Sequence, residues 1–301
     1  VLSTLLKRGV ALSDPPTLPP FWRARWREAL AADAARALAC ESPLDLTLRD
    51  ADATPYWTAT LGGTSLWPGH VRLAHKGRVE QLPGYGDGAW WVQDLAASLP
   101  ARLLGAAAGD HVVDLCAAPG GKTMQFAAAR ARVTAVERSP KRAARIAENL
   151  ERTRLAAEIV VADALAWRPA AAPDAILLDA PCSASGTFRR HPDVLYGKAE
   201  REIAGLAEQQ TRLLDHACTL LRPGGVLVYC VCSLERDEGE AQVHALLRRR
   251  NDMTTLPIAL HEIPAGLCTD KRGWLLTGPG DLVDVGGVDG FFIARLRKRP
   301  G

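Results

Sequence analysis

Apolar positions come in short unbroken runs through most of this chain. HVVDL (111–115), RVTAVE (132–137), EIVVAD (158–163), DAILLD (174–179) and VLVYCVC (226–232) are five of them. Runs of this length and continuity read as strands buried on both faces. Between them the period changes to that of helices. The spacing predicts helices from Lys122 to Arg130, from Pro140 to Thr153, from Glu200 to Leu221, and from after Cys232 to Arg250. Ser139 with Pro140 gives the second of these an N-cap and a first-turn proline. RPGG (222–225) closes the third, and FFIARL (291–296) reads as a last strand. Strands alternating with helices predict an α/β fold with a doubly wound, mostly parallel, Rossmann-like sheet. Ligands of such sheets sit at the carboxyl ends of the strands.

Upstream of about residue 89 the pattern differs. LDLTLR (44–49) and HVRLAH (70–75) alternate apolar and polar positions, with Gly- and Pro-rich turns between them, as half-buried strands do. Residues 1–38 read as two helical pieces broken by SDPPTLPP (13–20), with Trp22, Trp26 and Leu30 on one apolar face for packing. The chain therefore divides into a small helical and α+β module, 1–88, and a larger α/β domain, 89–301.

Composition narrows the class. The 301 residues are 48% hydrophobic and 24% charged, with a formal net charge of +3, as for an ordinary soluble globular protein. Bulk charge does not announce a nucleic-acid partner. Arginines do cluster, in FWRARWR (21–27), FRRH (188–191) and LLRRR (246–250). Such clusters are usually solvated helix faces, and the sharper reading has one of them meeting phosphate. Seven cysteines, an odd number without a Cys-x-x-Cys pair, argue against a disulfide framework or a structural zinc and for reduced thiols in a cytoplasmic protein. No apolar run is long enough to span a membrane, and the first residues lack the shape of a signal peptide. The chain starts with Val, which reads as a fragment or processed product of something longer; a monomer is expected.

DLCAAPGGKT (114–123) ends like a phosphate-binding loop, but that pattern needs glycine at position 116, which is Cys. The dinucleotide fingerprint also fails, because only Gly120 and Gly121 lie in the loop. Carboxylates meanwhile end four strands: Asp114, Glu137, Asp163 and Asp179. An acid after the second strand holds ribose hydroxyls in nucleoside-binding sheets, and one after the third can accept from an exocyclic amine. An adenosine-bearing ligand without a di- or triphosphate fits this set, S-adenosylmethionine above NAD. Two thiols add chemistry. Cys182, in DAPCSASGT (179–187), follows the fourth strand, and Cys232, in YCVCS (229–233), follows the fifth. Neighbouring strands lie ~5 Å apart, so both thiols can face one pocket, where a thiolate can attack a neutral carbon. Cys230, Cys40, Cys218 and Cys268 read instead as small buried hydrophobes. A metal on Cys182, Cys230 and Cys232 lacks a fourth ligand nearby in sequence.

With these residues in view, positions 89–301 resemble the RsmB/Nop2/Sun (Fmu-type) family of RNA cytosine-C5 methyltransferases, most of all its bacterial ribosomal RNA, RsmB-type members. DLCAAPGGKT, DAILLDAPCSASGT, RRHPDV (189–194), LVYCVCSLERDEGE (227–240) and DGFFIARL (289–296) occur in family order. WWVQDLAASLP (90–100) resembles the helix before the cofactor loop. Residues 1–88 resemble more weakly the segment preceding the catalytic domain, which in RsmB-type members often follows a NusB-like domain. The resemblance implies that Cys232 attacks C6 of a cytosine, that Asp179 binds the ring edge, that Cys182 assists the second half of the reaction, and that Lys122 stabilises charge. It also implies that Cys116, Ala117, Ala118, Pro119, Gly120, Gly121 and Lys122 contact the methionine part of S-adenosylmethionine. Glu137 would then hold its ribose and Asp163 its adenine, with Arg142 and Asp179 also lining the cofactor site. The partner implied is RNA, small-subunit ribosomal RNA first and transfer RNA second, with no membrane and no metal. Two departures stand out: Glu137 where Asp is commoner, and YCVCS where Ser-Thr usually precedes the nucleophile. Cys232 is assigned because it directly precedes Ser-Leu-Glu. A DNA cytosine-C5 methyltransferase would use Cys182 as nucleophile, and the motif order argues against it. A catalytically silent RNA-binding assembly factor is the reading from another class.

Overall fold

The computed structural model describes residues 16–74 and 77–300. The helical reading of the segment before SDPPTLPP lies outside the described residues. Helices α1 (Pro20–Arg25) and α2 (Glu28–Ala39) come first. Strand β1 (Leu44–Leu48), helix α3 (Thr54–Leu61) and strands β2 (His70–Leu73) and β3 (Trp90–Val92) follow. The strands form an antiparallel sheet in the order β2-β1-β3. The tryptophan stripe packs as expected but spans a break between α1 and α2: Trp22 and Trp26 are buried against Phe188, Leu195, Ile203 and Leu234.

Helix α4 (Leu95–Leu104) leads into the main sheet. Its N-cap Asp94 accepts from the Ala96 amide at 2.9 Å, and Gly105 ends it in the left-handed region. Then come β4 (His111–Leu115), α5 (Gly121–Ala128), β5 (Arg132–Glu137), α6 (Pro140–Thr153), β6 (Glu158–Val161), β7 (Ala175–Asp179), α7 (Glu200–Leu220), β8 (Val226–Val231) and α8 (Glu240–Arg249). The chain closes with β9 (Met253–Thr255), β10 (Leu275–Thr277) and β11 (Phe291–Lys298). The sheet has eight strands in the order β10-β11-β8-β7-β4-β5-β6, with β9 beside β11. Strands β8, β7, β4, β5 and β6 are parallel neighbours, and β11 runs antiparallel to β8.

Both faces of the central strands β4, β5, β7 and β8 are dry, which is why they lack alternation, whereas the edge strand β6 is partly exposed. Val113, Leu115, Ile176, Leu178 and Tyr229 pack under Leu213, Leu214 and Ala217 of α7. The alternate residues Val112, Leu177, Val228 and Ile293 pack against Leu95, Leu99 and Leu103 of α4 and Phe126 of α5. Helix α6 buries Ala143, Ile146, Leu150 and Thr153 at spacings of three and four, the stripe of an amphipathic helix, and Ser139 caps it as its sequence predicts. The apolar pattern does not show α3, β3, β9 or β10: of WWVQDLAASLP only the part from Leu95 is helix, while Trp90–Val92 is a strand of the N-terminal sheet, which therefore runs past residue 88, and β9 and β10 have three residues each and pair with β11. The N-terminal module is stitched to α6: Arg49 donates to the Thr153 carbonyl at 3.1 Å and Arg152 to those of Tyr85 and Trp90 at 3.0 and 3.1 Å.

Candidate active site

The loop after β4 makes its turn through unusual backbone. Cys116 has φ 64°, the Ala118–Pro119 peptide is cis, and Gly120 has φ 100°. Glycine suits the last of these because positive φ carries no steric penalty there, and a Cβ at Gly120 would also press on Ile146 at 3.2 Å. Gly121, the first residue of α5, sits over Gln93, which a Cβ would meet at 3.3 Å. Gln93 is held in turn by Trp91 and Gln125. Sequence reasoning placed Trp91 and Gln93 in WWVQDLAASLP as part of a helix and so missed this support from β3 and the residue after it.

The strand-end acids divide into different environments. Asp114 is buried; Thr123 donates to its Oδ2 at 2.6 Å, while Oδ1 has no partner. Burial pushes its carboxyl up to about 7, against the pull of the Thr123 hydrogen bond. Glu137, also buried, accepts from the Ser139 amide at 2.9 Å and the Ala118 amide at 3.4 Å. Arg142 stands 3.6 Å from the same carboxylate and donates to the Ala118 carbonyl at 2.8 Å. Glu137 and Arg142 therefore brace the glycine loop. Asp163 lies two residues past the end of β6 and is exposed, its Oδ1 accepting from the Leu165 amide. A cleft of about 350 Å³ collects Cys116, Glu137, Arg142 and Asp163, within the range of small-molecule sites. Helix α7 supplies its far wall through Leu206, Gln209 and Leu213. The spacing of these three along a helix was legible, but the side they cover was not. A larger hollow of about 780 Å³ lies between the N-terminal module and the ends of α4 and α5, lined by Arg49, Arg102 and Arg130, and holds none of these acids or thiols.

The second half of the site comes from β7 and β8. Asp179 is paired with Cys230 in their parallel register, so the loops that leave them start side by side. Cys182 and Cys232 then meet with their sulfurs 3.5 Å apart. That contact, with burial, holds the Cys182 thiol well above its ordinary pKa. Asp179 accepts from Lys122 Nζ at 2.7 Å on Oδ2, and that nitrogen lies 5.4 Å from the centre of the Phe291 ring. Burial alone lowers a lysine pKa, but the Asp179 charge overrides it and keeps Lys122 raised. Cys218 and Cys230 are buried as their reading expects, whereas Cys40 and Cys268 are exposed and correct it; Cys230 adds a polar contact, its sulfur lying 3.3 Å from Asp179 Oδ1. Burial and the Asp179 charge push that thiol up, and burial pushes Cys116 up to about 12.

The arginine clusters are largely engaged within the chain. Arg25 pairs with Glu200, Glu235 and Asp237, Arg249 with Asp215, and Arg250 with Asp252. Arg190 of RRHPDV pairs with buried Asp289 of DGFFIARL, so these two motifs fasten one loop to the start of β11. No helix among the described residues is long and apolar enough to cross a membrane.

Residues 101–297 match the family model of the 16S rRNA methyltransferases RsmB/F. The ribosomal RNA small subunit methyltransferase B of Klebsiella pneumoniae (strain 342) is 36% identical over 295 residues, 94% of this chain and 64% of that protein. The protein of the same name from Xylella fastidiosa (strain 9a5c) is 43% identical over 226 residues, 73% of this chain and 51% of that one. This chain thus spans between about half and two thirds of the length of such relatives. A solved methyltransferase homolog protein from Pyrococcus horikoshii superposes with a TM-score of 0.75 at 24% identity, covering 99% of this chain and 98% of that one, and so shares the fold. The chain belongs to the RsmB/F family of 16S rRNA methyltransferases.

Proposed function

We propose that this chain transfers a methyl group from S-adenosylmethionine to C5 of a cytosine in RNA, through a transient bond between Cys232 and C6 of the base. Small-subunit ribosomal RNA is the substrate class, by the name its relatives carry. The observation that carries the reading is the pair of thiols 3.5 Å apart beside the Lys122–Asp179 ion pair.

The residues fit the cofactor. The cleft has room for a nucleoside, and Glu137, with two amide donors on a carboxylate that has about four acceptor sites, can still take ribose hydroxyls. The unpartnered Oδ1 of Asp114 is an acceptor for an ammonium or amide donor. The loop 116–122 with Arg142 would hold the methionine part, Asp163 the adenine side, and Asp179 the junction with the base. When bound, S-adenosylmethionine supplies an electrophilic methyl group on a sulfonium.

The chain's own residues do the rest. Cys232 attacks C6 of a base that has left its stack, which costs least in single-stranded or looped RNA. Asp179, fixed by Lys122 and Cys230, hydrogen-bonds N3 and the amino group and favours the protonated ring. The new C6–S bond turns C5 into a nucleophile. After C5 carries its methyl group, loss of the C5 proton expels the Cys232 sulfur and restores the aromatic ring. Cys182, touching that sulfur, assists this second half.

Alanine variants with target RNA and S-adenosylmethionine on a denaturing gel test the assignment. Cys182→Ala should accumulate a protein–RNA adduct, and Cys232→Ala should give neither adduct nor 5-methylcytidine. Methylation or crosslinking by Cys232→Ala would transfer the nucleophile's role to Cys182.

A further inference from the structure

Four hydrogen bonds converge on one buried carboxylate behind the two thiols. Glu238 Oε1 accepts from the Ser183 amide at 2.8 Å and from Gln210 Nε2 at 3.2 Å. Its Oε2 accepts from the hydroxyls of Ser183 at 2.6 Å and Ser233 at 2.5 Å. Ser183 directly follows Cys182, and Ser233 directly follows Cys232. The carboxylate therefore grips both loops one residue beyond each sulfur.

The proton count around it closes. Each serine hydroxyl has one proton, and those of Ser183 and Ser233 both point to Oε2. Their oxygens accept from the amides of Ser185 at 3.4 Å and Glu235 at 3.0 Å. Ser185 Oγ lies 3.3 Å from each of the two hydroxyls, can give its one proton to that of Ser233, and accepts from the Leu234 amide at 3.0 Å. Gln210 directs its second amide proton to the Pro181 carbonyl at 2.8 Å. An acceptor-only group with about four sites is what this cage requires. A neutral amide at position 238 keeps one acceptor oxygen only: its N–H would face the Ser183 amide and Gln210 donors, or else take the place of the acceptor that both serine hydroxyls use.

Apart from Glu238, the loops are joined near the sulfurs by serine contacts, Ser183 to Ser233 at 3.1 Å and Ser185 to Ser233 and the Leu234 amide, and by a few backbone bonds. The ladder between β7 and β8 ends at Asp179 and Cys230, with one further bond from the Ala180 amide to the Cys230 carbonyl at 3.0 Å. Beyond that, Gly186 donates to the Cys232 carbonyl at 3.0 Å. We infer that Glu238 is a positioning residue that fixes the separation of Cys182 and Cys232, so that one sulfur sits on C6 while the other stands within reach of the adduct. The consequence for catalysis rests on the function proposed above; the geometric claim does not.

Dibromobimane tests the geometry without RNA, because it fluoresces strongly once both of its arms are alkylated by nearby thiols. Wild-type protein should link Cys182 to Cys232, as located by peptide mass mapping. Glu238→Gln should link them about tenfold more slowly with an unchanged far-UV spectrum, and kcat for methylation should fall about tenfold while KM for RNA holds. Ser233→Ala, which keeps the carboxylate and removes one of its four donors, should slow linking about threefold and decides the matter if Glu238→Gln does not fold. Linking at the wild-type rate in the folded variant overturns the inference. Normal linking in a wild-type protein that does not methylate RNA would instead count against the proposed function, and the comparison of linking rates would still decide the role of Glu238.

Discussion

A methyl group at Gly186 has no space to enter. Its Cβ would stand 2.0 Å from the Gly290 carbonyl oxygen and 2.6 Å from the carbonyl carbon, where ordinary contact begins at 3.4 Å. Gly186→Ala must therefore part the DAPCSASGT loop from the start of β11 by about 1.4 Å. The Gly290 amide now donates to the Gly186 carbonyl at 2.8 Å, and that separation breaks the bond. Overpacking at about 1–3 kcal/mol and one lost hydrogen bond at about 1 kcal/mol give a destabilisation of about 2–4 kcal/mol. For a chain of 301 residues the melting temperature should fall by about 3–6 °C. The chemistry should suffer more than the fold, because Gly186 also donates to the Cys232 carbonyl and Phe291, beside Gly290, carries the Lys122 cation over its ring. A misplacement of about 1 Å can cost 10²-fold, so initial methylation rates, measured well below the melting point, should drop by about that factor. Gly205 in α7 is the control: a Cβ there meets nothing within 4 Å, and Gly205→Ala should raise stability by about 0.5–1 kcal/mol. A Gly186→Ala protein that melts and methylates like wild type would refute the close approach, and a Gly205→Ala protein that loses stability would refute the open space at that position.

Two further outcomes follow from buried charge. Glu235, almost fully buried, takes Arg25 Nε at 2.6 Å and the Trp26 indole at 2.7 Å; Arg25→Ala should cost about 3 kcal/mol, and a double-mutant cycle with Glu235→Gln should return a coupling above ~1 kcal/mol in urea unfolding, whereas additive losses would show the pair to be idle. Burial, reinforced by the charges of Asp289 and Asp45, raises the Asp94 carboxyl to about 7, so the folded chain keeps a proton that the unfolded chain gives up near pH 4, and this contribution to stability is lost as pH rises from about 4 to about 7. Asp94→Asn keeps the oxygen that accepts from the Ala96 and Asp289 amides and removes the titration; its stability relative to wild type should rise by at least ~1 kcal/mol between pH 4.5 and pH 8, and a difference that does not change with pH would rule this out.

Much of this protein was legible in its sequence because its information there is local. Five continuous apolar runs, HVVDL to VLVYCVC, read as strands, four of them buried on both faces and the edge strand β6 only in part, and the four acids that end four of them mark the ligand edge of a parallel sheet by position alone. Ser139 announced the start of α6, and the spacing of Trp22 and Trp26 announced an inward face. The tertiary structure decided what those positions touch. Only the parallel register of Asp179 with Cys230 brings the loops of β7 and β8 side by side and turns two thiols fifty residues apart into a pair at 3.5 Å. The same register places Cys230 on Asp179, although its sequence context reads as core. Asp163 shows the limit from the other side: ending an apolar run did not bury it, because β6 lies at the edge of the sheet and stops two residues earlier. Gln93 and Glu238 lie inside the quoted stretches WWVQDLAASLP and LVYCVCSLERDEGE, and Leu206 and Gln209 lie inside an expected helix, yet nothing local assigns them a part, since each acts on residues remote in the chain. Patterning along a chain records burial, which is a property of one residue and its near neighbours, whereas a site is a set of distances between segments, and those exist only once the sheet has closed.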